Sequence, residues 1–276
     1  MSRTYSLAHL SALPLPPPQL VEVAAAAGYD HVGVRMIAPA PGIAAYPLMD
    51  DPAMLRETLA RLADSGLTVF DIEIVRINRD FATGNLLPFL ETGAKLGARA
   101  VLTVAGDEDD PSRLAQSYAA FCAAAKSFGL TADLEFMPWT SIPNAAAAVR
   151  LVEAAGSPDN AGVLVDAIHF ERSATTLDDI GALPPGLLHY AQICDAPAGI
   201  PDAMEEILRQ ARYERRLPGE GGIDLEGLVR ALPAALPIAI ECWDQVRTPA
   251  MGFGLWARRA IVATGAILAA TGDDAQ

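Results

Sequence analysis

Residues 162–170 read GVLVDAIHF: an apolar run that reaches Asp166 and places His169 three positions further on. A strand apolar on both faces belongs to a parallel sheet covered by helices. A charge that closes such a strand is costly to bury unless something meets it. Seven other stretches share the strand-like character: 5–9 (YSLAH), 31–35 (HVGVR), 67–75 (LTVFDIEIV), 100–106 (AVLTVAG), 133–137 (DLEFM), 188–194 (LHYAQIC) and 237–243 (PIAIECW). Segments 18–27, 52–65, 85–96, 111–128, 143–155, 202–212, 224–234 and 253–269 carry Ala, Leu and charged residues at helical spacing. Gly28, Gly66, Gly97 and Gly129 stand where helices should stop. The connection 170–187, with DDIGALPPG, reads as a short irregular helix.

Eight strand-then-helix units close most economically as a single (β/α)8 TIM barrel spanning residues 1–276. Its functional residues are expected at the C-terminal strand ends and in the loops that follow. An open doubly wound sheet would advertise a glycine-rich phosphate loop after an early strand, and the sequence has none.

Composition narrows the partners. The 276 residues hold 20 Lys and Arg against 34 Asp and Glu, a formal charge of −14, which disfavours nucleic acid or an anionic membrane as the main partner. Cys122, Cys194 and Cys242 are too few and too scattered for a disulfide framework or a cysteine zinc site, so a reducing cytoplasmic setting is expected. The first 18 residues contain no continuous apolar segment before their prolines, which speaks against a signal peptide. Arg258 and Arg259 interrupt the apolar stretch 252–270, which reads as a packed terminal helix rather than a membrane span.

In the last four strands one polar group falls near each C-terminal end: Glu135, Asp166, Gln192 and Glu241. In a barrel these come from neighbouring staves and converge over one side of the mouth. Three carboxylates gathered there repel and raise one another's proton affinity unless a cation balances them. An oxygen-only donor set suits Mn²⁺ or Mg²⁺, with Co²⁺ or Zn²⁺ as substitutes. Each residue taken alone is also explained by helix capping or a backbone hydrogen bond. His169 follows in the loop that rims the pocket, with an unperturbed pKa of about 6.5 suited to proton shuttling. His9 ends the first strand and is a candidate to face the pocket; His31 and His189 begin strands and fall at the opposite end. Arg215 and Arg216 precede the glycine-rich turn PGEGGID (218–224), and Arg35 lies at the exit of strand two; each is a candidate contact for an anionic substrate. Glu73 and Arg76 offer further polar contacts, for which ionic pairing is an adequate explanation. Trp139 and Trp243 follow Glu135 and Glu241 closely and can wall the pocket against a sugar face.

LEFMPW around Glu135, VDAIH ending at His169, AQICDAP around Gln192, PGEGGID and IAIEC around Glu241 together resemble the xylose-isomerase-like barrel superfamily, in its sugar phosphate isomerase/epimerase group. The resemblance spans most of the chain. It implies a divalent cation held by Glu135, Asp166, Gln192 and Glu241. Glutamine where many relatives carry histidine looks more like the hydroxypyruvate isomerase and 3-dehydroshikimate dehydratase branches. The implied chemistry removes a proton beside a carbonyl, with Glu135 and Glu241 addressing opposite faces of a planar intermediate and His169 as an acid toward a leaving oxygen. A metal-dependent isomerase or epimerase of a small ketose, keto acid or keto-polyol is the expected activity. A dehydratase is the alternative, and a silent metal- or sugar-binding protein the reading from another class. The substrate is then a small polar carbonyl compound, anionic if an arginine meets it, and a homo-oligomer is the implied assembly. Endonuclease-four nucleases share the barrel but gather zinc ions through many histidines, whereas this chain has four histidines in all and no basic track.

Overall fold

The computed structural model describes residues 3–272, apart from 41, 107 and 109. Eight parallel strands close on themselves in sequence order: β1 Tyr5–Leu7, β2 His31–Arg35, β3 Thr68–Ile77, β4 Ala100–Ala105, β5 Thr131–Glu135, β6 Ala161–Asp166, β7 Ala191–Ile193 and β8 Ile238–Ile240. Closure is made by β1 on β8, with Tyr5 opposite Ile238 and Leu7 opposite Ile240. The helices are α1 Pro17–Ala27, α2 Pro52–Ser65, α3 Leu87–Lys95, α4 Pro111–Ser127, α5 Ala145–Ala154, α6 Ala167–Arg172, α7 Leu177–Gly181, α8 Met204–Tyr213, α9 Leu225–Ala231, α10 Arg247–Met251 and α11 Phe253–Thr271. The chain is a single (β/α)8 TIM barrel, with the irregular connection after β6 resolved into the short helices α6 and α7.

Local chemistry sets the helix limits. Proline occupies the first turn of α1, α2 and α4, where its missing N–H costs nothing. Asp51 caps α2 by accepting from Ala53 N and Met54 N, and Asn144 caps α5 through Ala147 N. Gly28, at φ +91°, ends α1 in the left-handed region that a side chain would strain.

The helix–sheet core is apolar, while Phe70, Leu102, Leu164, Tyr190 and Ala239 fill the barrel interior. α11 is the one helix among the described residues long and apolar enough to cross a membrane by length and composition. It packs against α1 and buries Trp256, Ala257, Ala260, Thr264 and Leu268, and Trp256 Nε1 donates to Cys242 O at 2.8 Å.

Six strands end one to three residues earlier than the sequence predicts, and at β1 and β8 a side chain shows why. β1 stops at Leu7 because residues 9–12 turn into a 3-10 helix, whose Ser11 hydroxyl donates to Ile240 O and accepts from Cys242 N. Glu241 N still donates to Ile193 O of β7 at 3.0 Å, but Cys242 N turns to Ser11, so Glu241 stands one residue beyond β8 rather than within it.

Candidate active site at the C-terminal mouth

Glu135 ends β5, Asp166 ends β6, Gln192 sits in the middle of β7 opposite Asp166, and Glu241 follows β8. All four are at most 3% exposed. Asp166 is also the N-cap of α6: its Oδ1 accepts from Ile168 N at 2.8 Å and His169 N at 3.2 Å. The cap gives the buried Asp166 charge two local partners, and it starts the helix that carries His169 to the mouth.

The donors converge. Atoms of Glu135, Asp166 and His169 lie within 4.8 Å of one another. One end of the Gln192 amide is 3.0 Å from Glu135 Oε1 and 3.3 Å from Asp166 Oδ2. With its nitrogen on that side the amide donates to both carboxylates; with its oxygen there, three acceptors face one another and a cation or a proton on a carboxyl is needed to reconcile them. Among the described residues, Glu135, Asp166 and His169 bring donor atoms close enough for one metal ion, and the carboxylates with the Gln192 amide oxygen would suit a divalent one. His169 Nε2 stands 3.6 Å from Glu135 Oε1, beyond hydrogen-bond reach, and its buried Nδ1 has no partner.

One cation already sits among these groups. Arg215 Nη1 is 2.7 Å from Asp166 Oδ2 and 2.7 Å from Glu241 Oε2, and the side chain is almost wholly buried. Its Nε donates to Ala211 O at 2.7 Å, and its backbone N–H donates to Trp243 O. The motifs AQICDAP and PGEGGID meet just behind it. Asp195 Oδ2 accepts from Gly219 N and Gly221 N, both at 2.9 Å, while Oδ1 accepts from Ala196 N and Ile223 N. A Cβ on Gly221 would come within 2.2 Å of Ala196 O, so only glycine lets the loop approach this closely.

Burial pushes the Glu135 carboxyl well above the usual carboxylate range, reinforced by the charges of Asp166 and Glu241. Burial likewise pushes Glu241 up to about 8, against the opposing pull of Arg215. At Asp166 burial works in the same direction, but Arg215, His169 and the hydrogen bonds outweigh it and hold the group below its ordinary value. Burial brings His169 down to about 4, so the imidazole is neutral near pH 7.

Above these groups lies a cavity of about 290 Å³. Glu135, His169, Arg215 and Glu241 reach it, as do Arg35, Trp139 and Trp243, whereas Asp166 and Gln192 are not among its lining residues. Trp139 stands edge-on to His169, with ring centroids 5.0 Å apart. Arg216 is not part of the lining; its Nη1 donates to Glu220 O in the adjacent loop. Arg35 is bound by Glu73, with Nε at 3.0 Å and Nη2 at 2.6 Å from the same Oε2. His9 does not line the cavity: Nδ1 accepts from Arg35 N at 2.8 Å, Nε2 faces Leu15 O, and the ring stacks on Tyr46. Arg212 and Tyr213, from the last turn of α8, and Ile43, from the loop after β2, line the cavity without having been singled out by the sequence. Helical spacing shows that α8 has a polar face but not that its end reaches the mouth.

No family model and no curated protein matches the chain. Solved structures do. A xylose isomerase-like TIM barrel/4-hydroxyphenylpyruvate dioxygenase fusion protein aligns with 98% of this chain at TM-score 0.80 and 21% identity, and the chain spans 43% of that longer protein. The IolI protein solved with a bound zinc atom aligns at TM-score 0.80 and 17% identity, covering 97% of this chain and 99% of its own. An L-ribulose 3-epimerase aligns at TM-score 0.74 and 20% identity over 100% of this chain and 97% of its own. At these identities the shared property is architecture: the chain has the fold of the xylose-isomerase-like TIM barrels.

Proposed function

We propose that the protein is a divalent-metal-dependent isomerase or epimerase that moves a proton at the carbon beside a carbonyl in a small ketose, keto acid or keto-polyol. The observation that carries this reading is the pair of buried glutamates, Glu135 and Glu241, which both reach the cavity and both have raised proton affinity. A carboxylate with that property takes a carbon-bound proton and returns it near neutral pH. The zinc in IolI and the activity of the L-ribulose 3-epimerase, proteins of the same fold, support the reading.

Glu135, Asp166, Gln192 and Glu241 would hold the ion. When bound, a divalent cation stabilises negative charge on the oxygens next to the reacting carbon. Glu135 and Glu241, on staves three apart, act as the proton acceptor and donor for the two faces of a planar intermediate. His169 is neutral, so it serves as a hydrogen-bonding group for a substrate hydroxyl rather than as an imidazolium acid. Trp139 and Trp243 border the cavity and exclude water from one side of the substrate.

Proton NMR in D₂O tests this with Mn²⁺- or Mg²⁺-loaded protein and a panel of keto sugars, inososes, hydroxypyruvate and 3-dehydroshikimate. A product of unchanged composition bearing deuterium beside the carbonyl is the expected result. An unsaturated product assigns the chain to dehydration instead. Absence of both turnover and exchange across the panel, with Glu135→Gln and Glu241→Gln indistinguishable from the parent, leaves a binding role and refutes the enzyme.

A further inference from the structure

Arg215 holds the same carboxylates that the proposed metal ion requires. Its Nη1 contacts Asp166 Oδ2 and Glu241 Oε2 at 2.7 Å each. The Gln192 amide end, which marks where an ion would meet Glu135 and Asp166, faces that same Oδ2 at 3.3 Å. We propose that Arg215 is a resident counter-cation of the metal centre: it neutralises Asp166 and Glu241 from within the chain and, by sharing their oxygens, weakens the site's hold on a divalent ion. This inference rests on the metal-dependent reading above.

The opposite role would be orientation, in which the guanidinium fixes its ligands and strengthens metal binding; outer partners of that kind typically contribute 10–100-fold in affinity. Asp166 has no need of such help. Two backbone N–H groups at the start of α6, two and three residues along the chain, already fix its Oδ1. Arg215 itself is held from behind, through Nε to Ala211 O and its backbone N–H to Trp243 O, so it cannot swing away freely when an ion arrives. A positive charge so near a divalent ion, with little water between, opposes it. The consequence is a site that exchanges its metal readily, so that occupancy follows the supply of free ion. Asp195 and the glycine-rich loop then set metal affinity indirectly, by fixing the segment from which Arg215 projects.

The test is calorimetric titration of Mn²⁺ into metal-stripped wild type, Arg215→Met and Arg215→Lys. Removing the charge in Arg215→Met should tighten Mn²⁺ binding at least about tenfold, whereas Arg215→Lys, which keeps a charge there, should stay nearer the wild type. Unchanged or weaker binding by Arg215→Met overturns the proposal and makes Arg215 an orienting group. If wild type and variant, both folded by circular dichroism, bind neither Mn²⁺ nor Mg²⁺ nor Zn²⁺, the metal-dependent reading fails and this inference with it. Should Arg215→Met not fold without metal, the ¹⁵N signals of the wild-type arginine side chains decide. Those of Arg215, assigned through Arg215→Lys, should shift as Mg²⁺ saturates the site, and their failure to move while Mg²⁺ binds contradicts the sharing of ligands.

Discussion

At either end of the barrel a buried carboxylate is approached by a histidine, and the two pairs are solved in opposite ways. Near the N-terminal end, Asp133 is fully satisfied: Oδ1 meets His189 Nδ1 at 2.7 Å and Oδ2 accepts from Thr131 Oγ1. Gly162 makes this possible, since a Cβ there would lie 2.1 Å from Asp133 Oδ1. At the mouth, Glu135 and His169 stand 3.6 Å apart, Nδ1 of the histidine is unpartnered, and both groups are driven toward their neutral forms. The hydrogen bond to Asp133 raises the His189 pKa, whereas burial lowers that of His169. The same two functional groups, carboxylate and imidazole, thus make a structural clasp where hydrogen bonds close the circuit, and the proposed reactive site where they are left open.

Substitutions should separate the two ends. Glu135→Gln and Glu241→Gln should each lower kcat by roughly 10²–10⁴-fold while leaving the melting temperature unchanged or higher, because each removes a proton acceptor from a crowded acidic cluster. Steady-state kinetics and calorimetric melting measure both. Asp133→Ala should do the reverse, costing about 3 kcal/mol in urea unfolding through a cavity and an abandoned His189, with proton transfer at the mouth retained. Loss of turnover in folded Asp133→Ala would erase the division.

The pH dependence of metal-free protein sharpens it. His189 has a folded pKa above its unfolded value of 6.5, so its stabilisation is full below that value and is lost as pH rises through the folded pKa. His169 has a folded pKa of about 4, so the unfolded chain takes up its proton first, and stability falls as pH drops from about 6.5 toward 4. His189→Gln should flatten the alkaline slope and His169→Gln the acid one, in urea titrations across pH 4–8. The smallest effect belongs to Arg216→Ala, which should change neither KM nor stability measurably, because the side chain is engaged with the Glu220 loop outside the cavity.

Most of the barrel was legible in the sequence, because apolar runs and glycine-ended helices recur with the period of the architecture. That Glu135, Asp166, Gln192 and Glu241 gather at the mouth was legible for the same reason: Asp166 and Glu135 break apolar strands at a position where burial alone is unfavourable. Arg215 was seen as a substrate contact, yet its place against Asp166 and Glu241 depends on a long-range clasp between Asp195 and the glycine loop, which no local pattern encodes. The same limit applies to Arg212, whose helix ends at the mouth only because of where α8 packs. Arg35, too, could be placed at a strand end by sequence, but not its pairing with Glu73 across the β2–β3 ladder.

The central claim is that Glu135, Asp166, Gln192 and Glu241 form one metal centre. Crystals soaked in Mn²⁺ and measured across the manganese absorption edge test it most directly. The account predicts a single strong anomalous peak within coordination distance of oxygen atoms from all four side chains, abolished in Asp166→Asn. No peak at the mouth, or one bound by Glu135, Asp166 and His169 with Gln192 and Glu241 uninvolved, would contradict it.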